Sequence, residues 1–109
     1  MKQAIWLSYD LGVRGDYEGL FAWLDKWGAK DCGGNLAMLS YEFSGDSLTE
    51  ALERDMRNSF EVDRNTRIYA VYRDREHDKV KGTFVIGRRK SPPWLGSAPG
   101  VGSNDVDEA

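Results

Sequence analysis

Thr66-Arg67-Ile68-Tyr69-Ala70-Val71-Tyr72-Arg73, then Asp74-Arg75-Glu76-His77-Asp78-Lys79, then Val80-Lys81-Gly82-Thr83-Phe84-Val85-Ile86 is the stretch that separates the fold classes open to this chain. Its first part alternates. Ile68, Ala70 and Tyr72 face one way and Tyr69 and Val71 the other, the two-residue period of a half-buried strand. The middle part is wholly polar and reads as a loop. The last part returns as a second strand and closes a hairpin. Gly82, inside that returning strand, reads as a weak point or a bulge. A closing hairpin is antiparallel, which argues against a purely parallel doubly wound sheet.

Upstream, strands and helices alternate. Residues 3–10 read as a strand, with Ile5, Leu7 and Tyr9 opposing Ala4, Trp6 and Ser8. Residues 11–15 hold two glycines and form a loop. Asp16 is placed as the N-cap of a helix over 17–27. Tyr17, Leu20, Leu24 and Trp27 draw its apolar stripe, Phe21 and Trp23 widen it, and Gly28 stands where a helix stops. Gly33-Gly34 mark a turn or bulge, and residues 29–32 leave open a short extra strand. Residues 36–43 alternate again as a strand. After the loop 44–46, Ser47 and Glu50 have capping-box spacing, and Leu48, Leu52, Met56 and Phe60 follow at four-residue steps. Asp63-Arg64-Asn65 close that helical region. The resulting α+β order, β-α-β-β-α-β with an extra C-terminal strand, predicts a ferredoxin-like sandwich with its helices on one face.

Residues 1–90 are thus expected to form one domain. Residues 91–109 are rich in Pro, Gly and Ser, end in acids, and read as a flexible tail. Within it Pro92-Pro93-Trp94-Leu95 is either part of an ordinary terminus or a short anchor that orders against a partner protein or a neighbouring subunit.

Length and composition bound the function. A chain of 109 residues, 40% hydrophobic and 30% charged, suits a single modest core and not a two-lobed enzyme. No apolar run approaches the roughly 20 residues of a membrane span, and the start lacks a signal-peptide core. The single cysteine, Cys32, forms no internal disulfide. A cytoplasmic protein with no membrane partner is expected. Charge is unevenly placed. Residues 64–90 hold nine Lys/Arg against three Asp/Glu, whereas residues 1–63 hold six against twelve. This asymmetry fits a polyanion-binding surface, or a basic hairpin lying beside an acidic helix within the fold or across a dimer.

Several chemistries are set aside. The one histidine, His77, sits in a charged loop with no nucleophile nearby, which disfavours a His-dependent triad. Gly12-Val13-Arg14-Gly15 and Gly33-Gly34 lack the Gly-Lys-Ser/Thr ending of a phosphate-cradling loop. One candidate site stands out. Asp10 ends the first strand just before a loop and helix, a rigid and exposed seat for a hard divalent ion. A single carboxylate holds such an ion poorly, but a two-fold dimer would supply two. The alternative is that Asp10 caps its loop or pairs with Arg14.

Ile5-Trp6-Leu7-Ser8-Tyr9-Asp10-Leu11, a loop, and an amphipathic helix ending Trp27-Gly28 resemble the start of the small CRISPR adaptation subunit Cas-two and its toxin relatives of the VapD type. Ser40-Tyr41-Glu42-Phe43-Ser44-Gly45-Asp46-Ser47 is similar to the point in that family where a strand runs through a Gly-containing turn into the second helix. The resemblance implies a ferredoxin-like homodimer whose C-terminal strands can cross to the partner. It also implies Asp10 as a catalytic, metal-binding residue taking Mg²⁺ or Mn²⁺. The family's Arg-rich first helix is missing, since residues 16–27 carry one base, Lys26.

Three function classes follow. The first is a Cas-two-like or VapD-like nucleic-acid protein or nuclease, with Arg64, Arg67, Arg73, Arg75, Arg88, Arg89 and Lys90 contacting the phosphates of DNA or RNA. The second is a non-catalytic interaction module of a defence, toxin–antitoxin or mobile-element system, binding a protein through the basic hairpin or the tail. The third is a small-ligand sensor using Tyr9, Tyr69 and Tyr72.

Overall fold

The structure is a computed structural model that describes residues 1–45 and 47–99. Seven elements follow in order: β1 (Lys2–Asp10), α1 (Tyr17–Lys26), β2 (Lys30–Asp31), β3 (Leu36–Glu42), α2 (Leu48–Ser59), β4 (Arg67–Asp74) and β5 (Lys79–Ile86). They form a mixed α+β fold with one five-stranded sheet in the order β2-β3-β1-β4-β5. Every neighbouring pair is antiparallel. The terminal hairpin therefore pairs as its alternation predicts, and the open question over 29–32 resolves into the two-residue strand β2. No helix among the described residues is long and apolar enough to cross a membrane.

Register places the core. Ile5 faces Leu39, and Leu7 faces Ala37 on one side and Ala70 on the other. These residues, with Ile68, are at most 4% exposed and lie under the two helices. Leu20, Trp23 and Leu24 of α1 and Leu48, Ala51, Leu52 and Met56 of α2 close the core from above. Burying such side chains is the main term favouring the fold, each contributing roughly 1.5–3 kcal/mol.

Both helix starts are capped as their sequences suggest. Asp16 Oδ1 accepts from the Gly19 amide at 2.9 Å, and Ser47 Oγ accepts from the Glu50 amide at 3.2 Å. Asp16 does more than cap. Its Oδ2 accepts the Glu61 amide at 2.9 Å, tying the start of α1 to the chain leaving α2. Gly19 permits this approach, because a Cβ there would lie 2.6 Å from that of Phe60.

Three local expectations change. Phe21 is 50% exposed and does not join the core stripe, while Trp23 does. The irregularity in the hairpin falls between the Ile68–Ile86 and Tyr69–Phe84 pairs, not at Gly82. It lets two consecutive residues, Val85 and Ile86, both be buried. Gly82 instead makes room for a ring, since a Cβ there would stand 2.4 Å from the Tyr69 hydroxyl. Finally, α2 ends at Ser59, ahead of Asp63-Arg64-Asn65.

Candidate functional site

Asp10 closes β1 opposite Arg67, the first residue of β4. That register brings the two side chains together, and Arg67 Nη2 donates to Asp10 Oδ2 at 3.0 Å. The other carboxylate oxygen, Oδ1, accepts from the Gly12 amide at 3.0 Å. Asp10 therefore caps its loop, and its partner is Arg67 rather than Arg14. The Gly12 amide first, and then Arg67, hold the Asp10 carboxyl below its ordinary pKa.

Beside this pair lies a cleft of 300 Å³ lined by Ser8, Asp10, Arg67, Tyr69, Phe84 and Arg89. It sits on the sheet face away from the helices. Tyr69 and Phe84 meet edge to face with centroids 4.8 Å apart. The Arg89 guanidinium lies 5.7 Å from the Tyr69 ring centroid and 5.5 Å from that of Phe84. Such a spacing is that of a cation over aromatic faces. Arg67 is largely covered, and its Nε is buried with no hydrogen-bond partner among the described residues. A π-surface beside two guanidiniums can hold a flat ring and an anion together.

The seven basic candidates do not form one patch. Arg64, Arg67, Arg88, Arg89 and Lys90 cluster by chain position at the Asp10 end of the sheet, where β4 begins and β5 ends. Arg73 and Arg75 lie at the hairpin end, about 20 Å away along β4 at the usual rise per residue. Arg73 pairs with Asp78, and Arg75 Nη2 reaches the Lys2 carbonyl at 3.4 Å. Tyr9, Tyr69 and Tyr72 likewise do not converge. Tyr9 and Tyr72 pack toward the core on the helix side, whereas Tyr69 faces the other way.

Asp10 does not by itself make a site for Mg²⁺ or Mn²⁺. Both of its oxygens are engaged, and no second acidic, His or Cys ligand pair gathers with it among the described residues. Pro92-Pro93-Trp94-Leu95 forms a turn, with the Leu95 amide donating to the Pro92 carbonyl at 3.1 Å. Trp94 and Leu95 are 71% and 72% exposed. The acids expected in the tail, and the rest of residues 100–109, lie outside the described residues, as does Asp46.

Sequence reasoning missed Tyr69 and Phe84 as partners of Arg89. The alternation of β4 and β5 puts both rings on the outer face, but their pairing depends on the irregular register of the hairpin. It also missed Asp55. Its Oδ2 accepts from Trp23 Nε1 at 3.1 Å and from the Tyr41 hydroxyl at 3.0 Å, joining α1, α2 and β3. Desolvation, and then the bond to Asp55, push the Tyr41 pKa up. No protein-family model, curated protein or solved structure matches the chain.

Proposed function

We propose that this chain is a ferredoxin-like, cytoplasmic nucleic-acid-binding protein of the Cas-two or VapD kind, acting as a homodimer. The observation that carries the proposal is the cleft where Arg67 and Arg89 flank the Tyr69–Phe84 pair. Guanidiniums engage phosphates, and aromatic faces stack bases without regard to sequence. Strand order β2-β3-β1-β4, with α1 carrying the chain across from β1 to β2, supports the ferredoxin-like reading, and β5 extends it. The apolar outer face around Trp6, Met38 and Val71 supports a second copy as its cover.

The role of Asp10 is secondary in this reading. It orients Arg67, and metal-dependent cleavage would require a second copy's carboxylate. The test is a titration of labelled single- and double-stranded DNA and RNA, at low and moderate salt, with Mn²⁺ or with EDTA. Salt-sensitive binding that weakens in Arg89→Ala and Tyr69→Ala is expected. Cleavage that needs Mn²⁺ and vanishes in Asp10→Ala would add a nuclease to the binding function. Absence of any binding at low salt overturns the proposal.

A second reading rests on Trp94 and Leu95. Two large apolar side chains that stand exposed on a Pro-Pro turn suit an anchor for a partner protein in a defence, toxin–antitoxin or mobile-element system. Capture of one stoichiometric protein, lost in Trp94→Ala and free of nucleic acid, would favour it.

A further inference from the structure

Under α1, on the sheet face opposite the Arg67 cleft, lies a cavity of about 490 Å³. Two periodicities build it. Phe21, Leu24 and Asp25 stand three and four residues apart, so one face of α1 presents all three. Ala37 of β3 pairs with Leu7 on one side and with Asp31 of β2 on the other, which puts Asp31 on the helix side of the sheet. Tyr9, two residues on from Leu7, shares that side. Leu24 and Ala37 are buried and give the cavity an apolar lining. Tyr9 and Phe21 meet at 79° with centroids 6.1 Å apart, two walls of an aromatic corner. The half-exposed ring of Phe21 forms the open side of that corner.

Two carboxylates border these rings, Asp25 from the helix and Asp31 from the sheet edge. Neither is ion-paired among the described residues. Asp31 engages one oxygen, Oδ1, which accepts the Gly33 amide at 3.0 Å. Burial, and then the charge of Asp31, push the Tyr9 pKa up, so the hydroxyl stays protonated beside that carboxylate. The bases nearby do not answer the two charges. Lys30 also borders the cavity, but it pairs with Met38 and so belongs to the outer face. Lys26 lies over the Trp27 ring, 5.8 Å from its centroid.

We propose that this cavity binds an aliphatic diamine or polyamine. Aromatic faces attract ammonium groups, and unpaired carboxylates accept charge-assisted hydrogen bonds from them. Two carboxylates from separate elements, with apolar side chains between, match two ammoniums joined by a methylene stem. A lysine side chain or a simple alkylamine brings only one ammonium. Mg²⁺ brings the same charge as a diamine but nothing for the rings, and it keeps its waters. An apolar cavity of this size with a few placed polar groups has the make-up of a small-molecule site. It shares no residue with the Arg67 cleft, so the proposal goes beyond nucleic-acid binding.

The full chain is titrated with putrescine, with butylamine, which keeps the stem and one ammonium, and with MgCl₂. Calorimetry and the ring resonances of Tyr9 and Phe21 follow each titration. Saturable putrescine binding that moves both rings is expected, at least about tenfold tighter than butylamine or Mg²⁺. Phe21→Ala, at an exposed position, weakens it about fivefold or more. Asp25→Asn and Asp31→Asn do the same, and the latter keeps the oxygen that accepts the Gly33 amide. Glu42→Gln, an equal loss of charge at the exposed end of β3 outside the cavity, leaves the affinity unchanged. Rings unmoved by putrescine, equal affinity for butylamine or Mg²⁺, or equal weakening in Glu42→Gln overturns the proposal. These outcomes are independent of whether the Asp10 end binds nucleic acid.

Discussion

On the helix side of the sheet Ile5, Leu7, Leu39, Ile68 and Ala70 are at most 2% exposed, and Trp23 Nε1 and the Tyr41 hydroxyl find an acceptor in Asp55, while Trp27 Nε1 is buried with none among the described residues. On the other side Trp6 is 39% exposed, and Met38, Tyr69, Val71 and Phe84 are only half-buried. The two faces draw on alternate positions of the same strands, and the outer one sets an apolar centre of Trp6, Met38, Tyr69, Val71 and Phe84 among polar residues such as Ser8, Ser40 and Glu42. The difference lies in what covers them. Two amphipathic helices close the first face, and neither crosses to the second. The outer face is thus an apolar patch flanked by arginines and left open to solvent, the kind of surface a binding partner would cover.

The sharpest way to break this contrast is to truncate both faces. Leu52→Ala, at a fully buried position of α2 packed on the helix side of the sheet, is expected to cost about 2–5 kcal/mol in urea denaturation. Val71→Ala on the outer face is expected to cost less than about 1 kcal/mol at low protein concentration. If the loss at Val71 grows as concentration rises, a second copy covers that face, because association stabilises by mass action. Equal losses at the two positions at every concentration would erase the distinction between the faces.

A smaller effect probes how the helix side satisfies its polar atoms. Asp55→Ala strips the acceptor from Trp23 Nε1 and the Tyr41 hydroxyl together. The expected loss is about 1–3 kcal/mol. A loss no larger than that of an exposed residue would show that water reaches these groups.

The smallest effect is the acid limb of stability. The Asp10 pKa is lowered in the fold, so its stabilisation is fully present above the unfolded value near 4. It is lost as pH falls through the lower folded value. Because Asp10 is half exposed, the contribution is under about 1 kcal/mol. Asp10→Asn should flatten part of the decline in the urea midpoint below about pH 4, and an unchanged decline would assign the limb to other carboxylates. Asp74, lowered chiefly by Lys81 and then by His77, acts in the same direction at the hairpin end.

Local sequence carried much of the architecture. The alternation of 66–73 and 80–86 located the hairpin, and Asp16 and Ser47 announced both helix starts. What it could not carry were contacts between distant residues. Arg14 was the near candidate for Asp10, but strand register brought in Arg67 from 57 positions away. The second bond of Asp16, to Glu61, likewise spans 45 positions. His77 offered no nearby nucleophile in the sequence, and its contact in the fold is with the Asp74 carboxylate three residues earlier. Gly82 was open as a weak point or a bulge, and the bulge lies elsewhere, because a glycine in a strand gives the same local signal whether it bends the backbone or clears space for a ring. Phe21 fitted the stripe of α1, yet the groove it borders with Tyr9 leaves it half in water.

The sheet ends differently on its two margins. β2 is two residues long, whereas β5 runs for eight and has no neighbour on its far side among the described residues. Unpaired backbone amides and carbonyls along a strand invite another strand to join. If two copies joined through β5, each would use up its long margin and leave the other, where β2 covers only part of β3. Assembly by that route would hide the long margin in the pair, while Lys79 repels a second β5 unless its charge is answered and Lys81 is already paired with Asp74.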